Sequence, residues 1–273
     1  MKKILLTFDG KHFSEGAFKM AQYINSLQPV LLTGVFLSPV DYREIIGYSG
    51  MGIGAPVMVP VMETDDEVIA ANIQRFEKLC LQQNIEYRVH RDTDLFALAE
   101  LVTETRFADL LIISSELFYE NIGKDQPNEY LRKTLHQSEC PVLVVPEEFE
   151  EPKSVVLAYD GKASSVYAIK QFAYLFPELG SAETLLITSE EGKEEVPKRE
   201  YITELAARHF SNLTISHMDV DAKKYFHTWI GERKNTILVS GAFGRGDLSS
   251  LFKKSFVTQI IREHKTPVFI AHH

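Results

Sequence analysis

Ile4-Leu5-Leu6-Thr7-Phe8-Asp9-Gly10-Lys11 returns 151 residues later as Val155-Val156-Leu157-Ala158-Tyr159-Asp160-Gly161-Lys162. The same register carries on through Ser14 with Ser165, Ala17 with Ala168 and Lys19 with Lys170. Each stretch is a short apolar run closed by Asp-Gly, the pattern of a strand buried on both faces that ends in a turn. A second pair of blocks aligns at a spacing of 126: Leu111-Ile112-Ile113-Ser114 with Ile237-Leu238-Val239-Ser240, and Pro141-Val142-Leu143-Val144 with Pro267-Val268-Phe269-Ile270. The chain therefore reads as two copies of one unit, over 1–147 and 152–273, joined by the acidic stretch Glu147 to Lys153. The spacings differ by 25 residues. The Gly/Pro/Met-rich segment from Ser38 to about Thr64, which has no counterpart in the second copy, accounts for them as an inserted loop.

Within each copy, apolar runs alternate with segments of helical period. Strands are predicted at 3–7, 30–36, 85–89, 110–114 and 141–145, with helices near 13–26, 66–83, 94–106 and 127–138. The second copy repeats the order, with strands near 154–158, 183–188, 213–217, 236–240 and 267–271 and helices near 164–176, 195–209, 222–230 and 250–263. Five strands alternating with four helices imply right-handed crossovers and a buried parallel sheet. The predicted class is α/β: two tandem open five-stranded parallel-sheet domains of Rossmann-like type.

Composition agrees with two ordinary domains and excludes several functions. At 273 residues and 45% hydrophobic content the chain can bury a core in each copy. No apolar stretch approaches the roughly 18 to 20 residues needed to span a bilayer, and the opening Met1-Lys2-Lys3 run reaches Asp9 too soon for a signal-peptide core. A cytoplasmic location and no membrane partner are expected. Cys80 and Cys140 are the whole cysteine complement, too few for a disulfide framework or a four-thiolate zinc site, so each is expected to be buried as a small hydrophobe. Net charge is −9, and residues 1–151 carry 13 Lys and Arg against 24 Asp and Glu. That acidic half repels polyanions, and neither half has the basic patch that nucleic acid requires. The near-neutral second half leaves room for a small anionic ligand.

Ligands of open parallel sheets sit at the carboxyl ends of the strands, where strand order reverses. The loops to inspect follow Tyr159 and Ser240, and their counterparts follow Phe8 and Ser114. After Ser240 comes Gly241-Ala242-Phe243-Gly244-Arg245-Gly246-Asp247, with Lys253, Lys254 and Ser255 near the start of the next helix. Glycines let backbone approach a phosphate, and helix-start N–H groups attract anions. A strand-to-helix loop also uses glycine simply to turn, and Asp followed by Gly is also a common turn and cap choice.

These residues together resemble the universal stress protein family in its tandem form, and the resemblance covers nearly the whole chain. It rests on the strand-ending Asp9 and Asp160, the Gly241-x-x-Gly244 turn followed by a small-residue position and Ser255, and the terminal Pro-Val strand of each copy. It implies the adenine nucleotide alpha hydrolase-like fold, with last strands 141–145 and 267–271 at sheet edges pairing the halves as an internal pseudo-dimer. It also implies a stress-response protein that binds ATP or AMP in the second domain, possible magnesium with it, and acts as a sensor without appreciable turnover. Asp160 would sit by the nucleoside, Gly241 and Gly244 would let backbone reach the phosphates, Lys254 and Ser255 would cap them, and backbone at the end of the second strand would read adenine.

Lys254 stands where the family pattern has its third glycine. Its side chain either obstructs the phosphate pocket or supplies a charge-assisted contact in place of backbone. In the first copy the matching positions are Ser115, Phe118, Asn128 and Glu129, so that site is expected to be dead for triphosphate. The alternative function is a nucleotide-free interaction scaffold that meets a protein partner or self-associates. A third reading makes the inserted loop a lid over some other small molecule.

The stretch Gly47-Tyr48-Ser49-Gly50-Met51-Gly52-Ile53-Gly54 fails the dinucleotide fingerprint in spacing and context. Walker, nucleophile-elbow and pyrophosphatase loops are missing, and the nine histidines form no HxxxH or HExxH pair, so neither a metal site nor catalysis is expected. Phe226 and Trp229, at i, i+3 spacing, fit core packing.

Overall fold

The apolar runs form strands and the periodic segments form helices, in the order the repeat predicts. The computed structural model describes residues 1–8, 12–37, 66–92, 97–116, 134–188, 195–217, 222–241 and 256–271. The predicted loop 38–64 and the turn carrying Gly244, Lys254 and Ser255 lie outside the described residues, as do Asp9, Phe118, Asn128 and Glu129.

The first five strands are β1 (Lys2–Phe8), β2 (Val30–Leu37), β3 (Glu86–Asp92), β4 (Leu110–Ser114) and β5 (Val142–Val145). Helices α1 (Glu15–Leu27), α2 (Asp66–Gln82) and α3 (Ala97–Thr105) connect them, with one helical turn at 134–137 before β5. Next come β6 (Ser154–Tyr159), α4 (Ala163–Leu175), a short 3-10 turn (Pro177–Ser181), β7 (Glu183–Thr188), α5 (Arg199–His209) and β8 (Leu213–His217). The chain ends with α6 (Ala222–Gly231), β9 (Thr236–Ser240), α7 (Phe256–Arg262) and β10 (Val268–Ile270).

All ten strands form one sheet in the order β3-β2-β1-β4-β5-β10-β9-β6-β7-β8. Within each run of five every pairing is parallel, and the order reverses between β1 and β4 and between β6 and β9. The runs meet at β5 and β10, which pair antiparallel through Val144 with Val268, Leu143 with Phe269 and Val142 with Ile270. The last strands thus join the halves as expected, and each covers the open edge of the other.

Side chains alternate between the two faces of the sheet, each covered by helices. Ile4, Leu6 and Phe8 point to the face where α1, α2, α4 and α5 pack, with Phe18, Phe76, Phe172 and Ile202 among the contacts. Leu5 and its neighbours Leu111 and Val144 face α3, α6 and α7, whose Leu101, Ile230 and Ile260 cover them. Phe226 is buried in this second layer and stacks on Trp229, which lies against the layer with the Arg233 guanidinium 4.6 Å from its ring centroid. Core packing accounts for both aromatics, as predicted.

Phe269 lies at the seam fully buried, edge-on to Phe172 at 5.3 Å and to Phe176 at 6.0 Å between ring centroids. Phe269→Ala is expected to cost about 3–5 kcal/mol through lost transfer energy and a cavity. Phe107→Ala, at a side chain 66% exposed, should stay within about 0.5 kcal/mol of the parent. Equilibrium urea unfolding of both variants checks the contrast.

Candidate functional site

The two reversal points are built from equivalent parts but closed differently. In the first half, Ser14 is the N-cap of α1, its hydroxyl accepting from Ala17 N at 3.1 Å. The Ser14 hydroxyl in turn donates to Glu147 Oε1, Gly16 N donates to Glu147 Oε2 at 3.0 Å, and Ser114 Oγ at the end of β4 donates to Glu147 Oε1 at 2.9 Å. Glu147 comes two residues after β5, so the chain leaving the sheet turns its carboxylate onto the amino end of α1. A negative group is favoured there by the unpaired N–H groups and the helix dipole. The close approach requires glycine: a Cβ on Gly16 would lie 2.2 Å from Pro146 O.

A second carboxylate stands beside the first. Glu116 Oε1 accepts from Glu147 N at 2.9 Å and Oε2 accepts from Ser115 Oγ at 2.7 Å. Ser115 Oγ is also 2.8 Å from Nδ1 of His264, a residue of the second half. The hydroxyl has one proton, given to Glu116, so the imidazole carries its proton on Nδ1 and donates. Two carboxylates thus stand together between the end of β4 and the start of α1 in the first half. Ser115 was singled out in the sequence for replacing a turn glycine; Glu116 and Glu147 were not. Glu147 read as linker, and no local pattern ties it to Ser14, 133 residues earlier.

In the second half, Asp160 follows β6 directly. Its Oδ1 accepts from Ser165 Oγ at 2.8 Å and from Lys162 N at 3.0 Å, and Oδ2 lies 3.1 Å from Lys162 Nζ. Asp160 therefore ties down the start of α4, while its side chain stays 48% exposed. Partial burial pushes the Asp160 carboxyl up, but the hydrogen bonds from Ser165 and Lys162 and the Lys162 ammonium outweigh it and hold the group below its ordinary value. Burial, then the Asp160 charge, pushes the neighbouring Tyr159 phenol up.

Gly241 follows β9 and meets the same helix start. A Cβ there would lie 2.2 Å from the Ser164 carbonyl carbon and 2.3 Å from Ser165 N. Glycine is thus needed for the sheet to pack on α4, a role separate from any phosphate contact. The structure brings Asp160 and Gly241 together on the first turn of α4; Gly244, Lys254 and Ser255 lie outside the described residues. Next to Tyr159 in the sheet stands Thr188, at the end of β7. It is 1% exposed, and its Oγ1 has no hydrogen-bond partner among the described residues. Sequence reasoning pointed to the end of this strand but not to that hydroxyl.

The cysteines are not part of either site. Both are buried, and desolvation pushes the thiols of Cys80 and Cys140 up to about 12, which suppresses the reactive thiolate. Among the described residues no group of three or more His, Cys, Asp or Glu is placed to hold a metal ion, and no helix is long and apolar enough to cross a membrane.

The fold has solved counterparts. A universal stress protein from Archaeoglobus fulgidus superposes with a TM-score of 0.67 at 15% identity, over 100% of this chain and 96% of that one. The chain has the universal stress protein fold. A protein of unknown function from Pseudomonas aeruginosa PAO1 gives a TM-score of 0.59 at 13% identity, over 100% and 92% of the two chains. The cytoplasmic domain of a prokaryotic cation chloride cotransporter gives 0.50 at 12% identity, over 98% and 94%. No protein-family profile matches the sequence, and no curated protein matches it. The fold is thus kept where sequence identity has nearly vanished.

The two helix starts give two tests. Glu147→Ala removes the carboxylate that receives the Ser14, Gly16 and Ser114 donors and is expected to cost about 1–3 kcal/mol in urea unfolding. Asp160 is expected to titrate below an ordinary aspartate in a carbon-detected NMR pH series. Because its folded value is depressed, its contribution to stability is present above the unfolded value and lost as pH falls through the folded one. Asp160→Asn should remove that part of the acid dependence.

Proposed function

We propose that this is a stress-response protein of the universal stress protein type that binds an adenine nucleotide, ATP or AMP, in its second half and works as a sensor. The observation that carries the reading is the buried Thr188 hydroxyl, which has no hydrogen-bond partner among the described residues. A buried hydroxyl without a partner costs about 1–3 kcal/mol, and this one stands at a strand end beside Tyr159, one residue from Asp160. A nucleoside edge laid over the ends of β6 and β7 would give it a partner. The half-exposed Asp160 carboxylate would accept from a ribose hydroxyl. Gly244, Lys254 and Ser255 would then hold the phosphates, with magnesium as their counterion. The crevice of the first half, filled by Glu147 and Glu116, would take no triphosphate.

Nothing in this arrangement supplies a base for water, so hydrolysis would be slow at most. A second reading is supported by Lys254 in place of the third glycine and by the same fold serving as the cytoplasmic domain of a transporter. Under it the chain is a nucleotide-free scaffold that meets a protein partner.

Isothermal titration of nucleotide-stripped protein with ATP and magnesium separates the two. One equivalent is expected to bind, with binding lost in Gly244→Phe, which copies the first half's Phe118. Gly241 is unsuited to this test, because any side chain there collides with α4. Thr188→Val should weaken ATP about threefold to tenfold, the size of one hydrogen bond, while leaving the unliganded protein as stable or more stable. No heat and no thermal shift at saturating ATP would overturn the nucleotide reading in favour of the scaffold.

A further inference from the structure

Between α4 and α5, on the outer side of the β6 end, the described residues enclose an open cleft of about 430 Å³. That is within the size range of small-molecule sites. The cleft follows from how two turns are fastened together. Tyr159 Oη donates to Pro197 O at 2.9 Å, pinning the approach to α5 against the turn before α4. Gly161, at φ +76°, packs so closely on the Pro197 ring that a Cβ would lie 2.7 Å from it. Between the two helices Val166, Ile202 and Leu205 form an apolar floor.

The rim is cationic. Lys162, Lys170 and Lys198 line it, together with the rings of Tyr167 and Tyr201, and no carboxylate lines it among the described residues. Asp160 is turned away to Ser165 and Lys162. Both flanking helices begin here: Lys162 is the N-cap of α4 and Lys198 the N-cap of α5, and neither cap makes a side-chain hydrogen bond. Contrast α1, whose start is closed by Ser14 and Glu147. Lys162 and the start of α4 are already met by Asp160, which leaves the start of α5 and the ammonium groups of Lys170 and Lys198 beside an aromatic and apolar floor, complementary to a molecule that is anionic at one end and apolar at the other.

We infer that this cleft is a binding site for a small organic anion with an aromatic or aliphatic ring body, separate from the crevice between β6 and β9. The ring rests on Val166, Ile202 and Leu205 between Tyr167 and Tyr201, and the anionic group meets Lys198 at the start of α5 and Lys170 on α4. Neither Thr188 nor Gly241 lines the cleft, so this inference does not depend on nucleotide binding.

The test uses the full chain with anilinonaphthalene sulfonate, which has a fused ring body and one fixed negative charge, and with uncharged phenylnaphthylamine of the same ring system. Saturable fluorescence at one equivalent is expected for the sulfonate, with the uncharged probe weaker. Lys170→Glu combined with Lys198→Glu is expected to weaken the sulfonate about tenfold or more, the equivalent of one lost ion pair near a protein surface. Leu205→Trp, which fills the floor, should weaken both probes. Circular dichroism of each variant verifies the fold, and saturating ATP should leave the sulfonate bound. Equal binding by the lysine variant, or no saturable binding, would overturn the site. Stoichiometric displacement by ATP would instead merge the cleft with the nucleotide crevice and overturn its independence.

Discussion

Three antiparallel residue pairs hold the molecule together as one sheet: Val142 with Ile270, Leu143 with Phe269 and Val144 with Val268. Parallel strands need a long crossover to meet, but antiparallel edges can be joined directly. Each run of five parallel strands ends at β5 or β10 in an edge of N–H and C=O groups, and these two edges pair with each other. Pairing them satisfies both edges and closes the two apolar faces over a continuous core, with Phe269 wedged among the rings of α4 and its following turn.

The seam also sends the chain past α1. On leaving β5 the backbone must cross toward the second half, and the path lies over the start of α1 closely enough that residue 16 has to be glycine. Glu147 arrives there with its carboxylate among three donors. The connection between the halves is therefore also the plug of the first crevice, and His264 of the second half completes the network through Ser115. In the second half Asp160 after β6 is half-exposed, and Thr188 at the end of β7 has no hydrogen-bond partner for its hydroxyl among the described residues.

The general form of the site obeys the same physics in both halves. A helix start offers N–H groups and a positive dipole end, and the chain must meet them with an acceptor. In α1 the acceptors are a serine and a glutamate of the protein. In α4 the aspartate two residues before the N-cap serves, partly exposed and charged. The side chains at the caps of α4 and α5 are lysines, which bring positive charge to ends that are already positive.

Much of this was legible in the residues. Alternation of apolar runs with helical segments located all ten strands, because a buried parallel strand has to be apolar on both faces and its crossover helix on one. The internal repeat located the reversal points, and the burial of both cysteines followed from their apolar settings. Local patterns also singled out Asp160 and Gly241, since turns and caps are decided by neighbours in sequence, and the internal repeat carried the Gly241 position onto Ser115. What only the tertiary structure decided depends on residues far apart in the chain: that Glu147 meets the start of α1, that Gly241 is required by the backbone of α4, that the Thr188 hydroxyl has no partner among the described residues, and that Pro197 and Gly161 stand at the corner of a cationic cleft. A side chain's burial, partner and charge environment are set by what packs against it, and packing brings together segments that share no pattern in sequence.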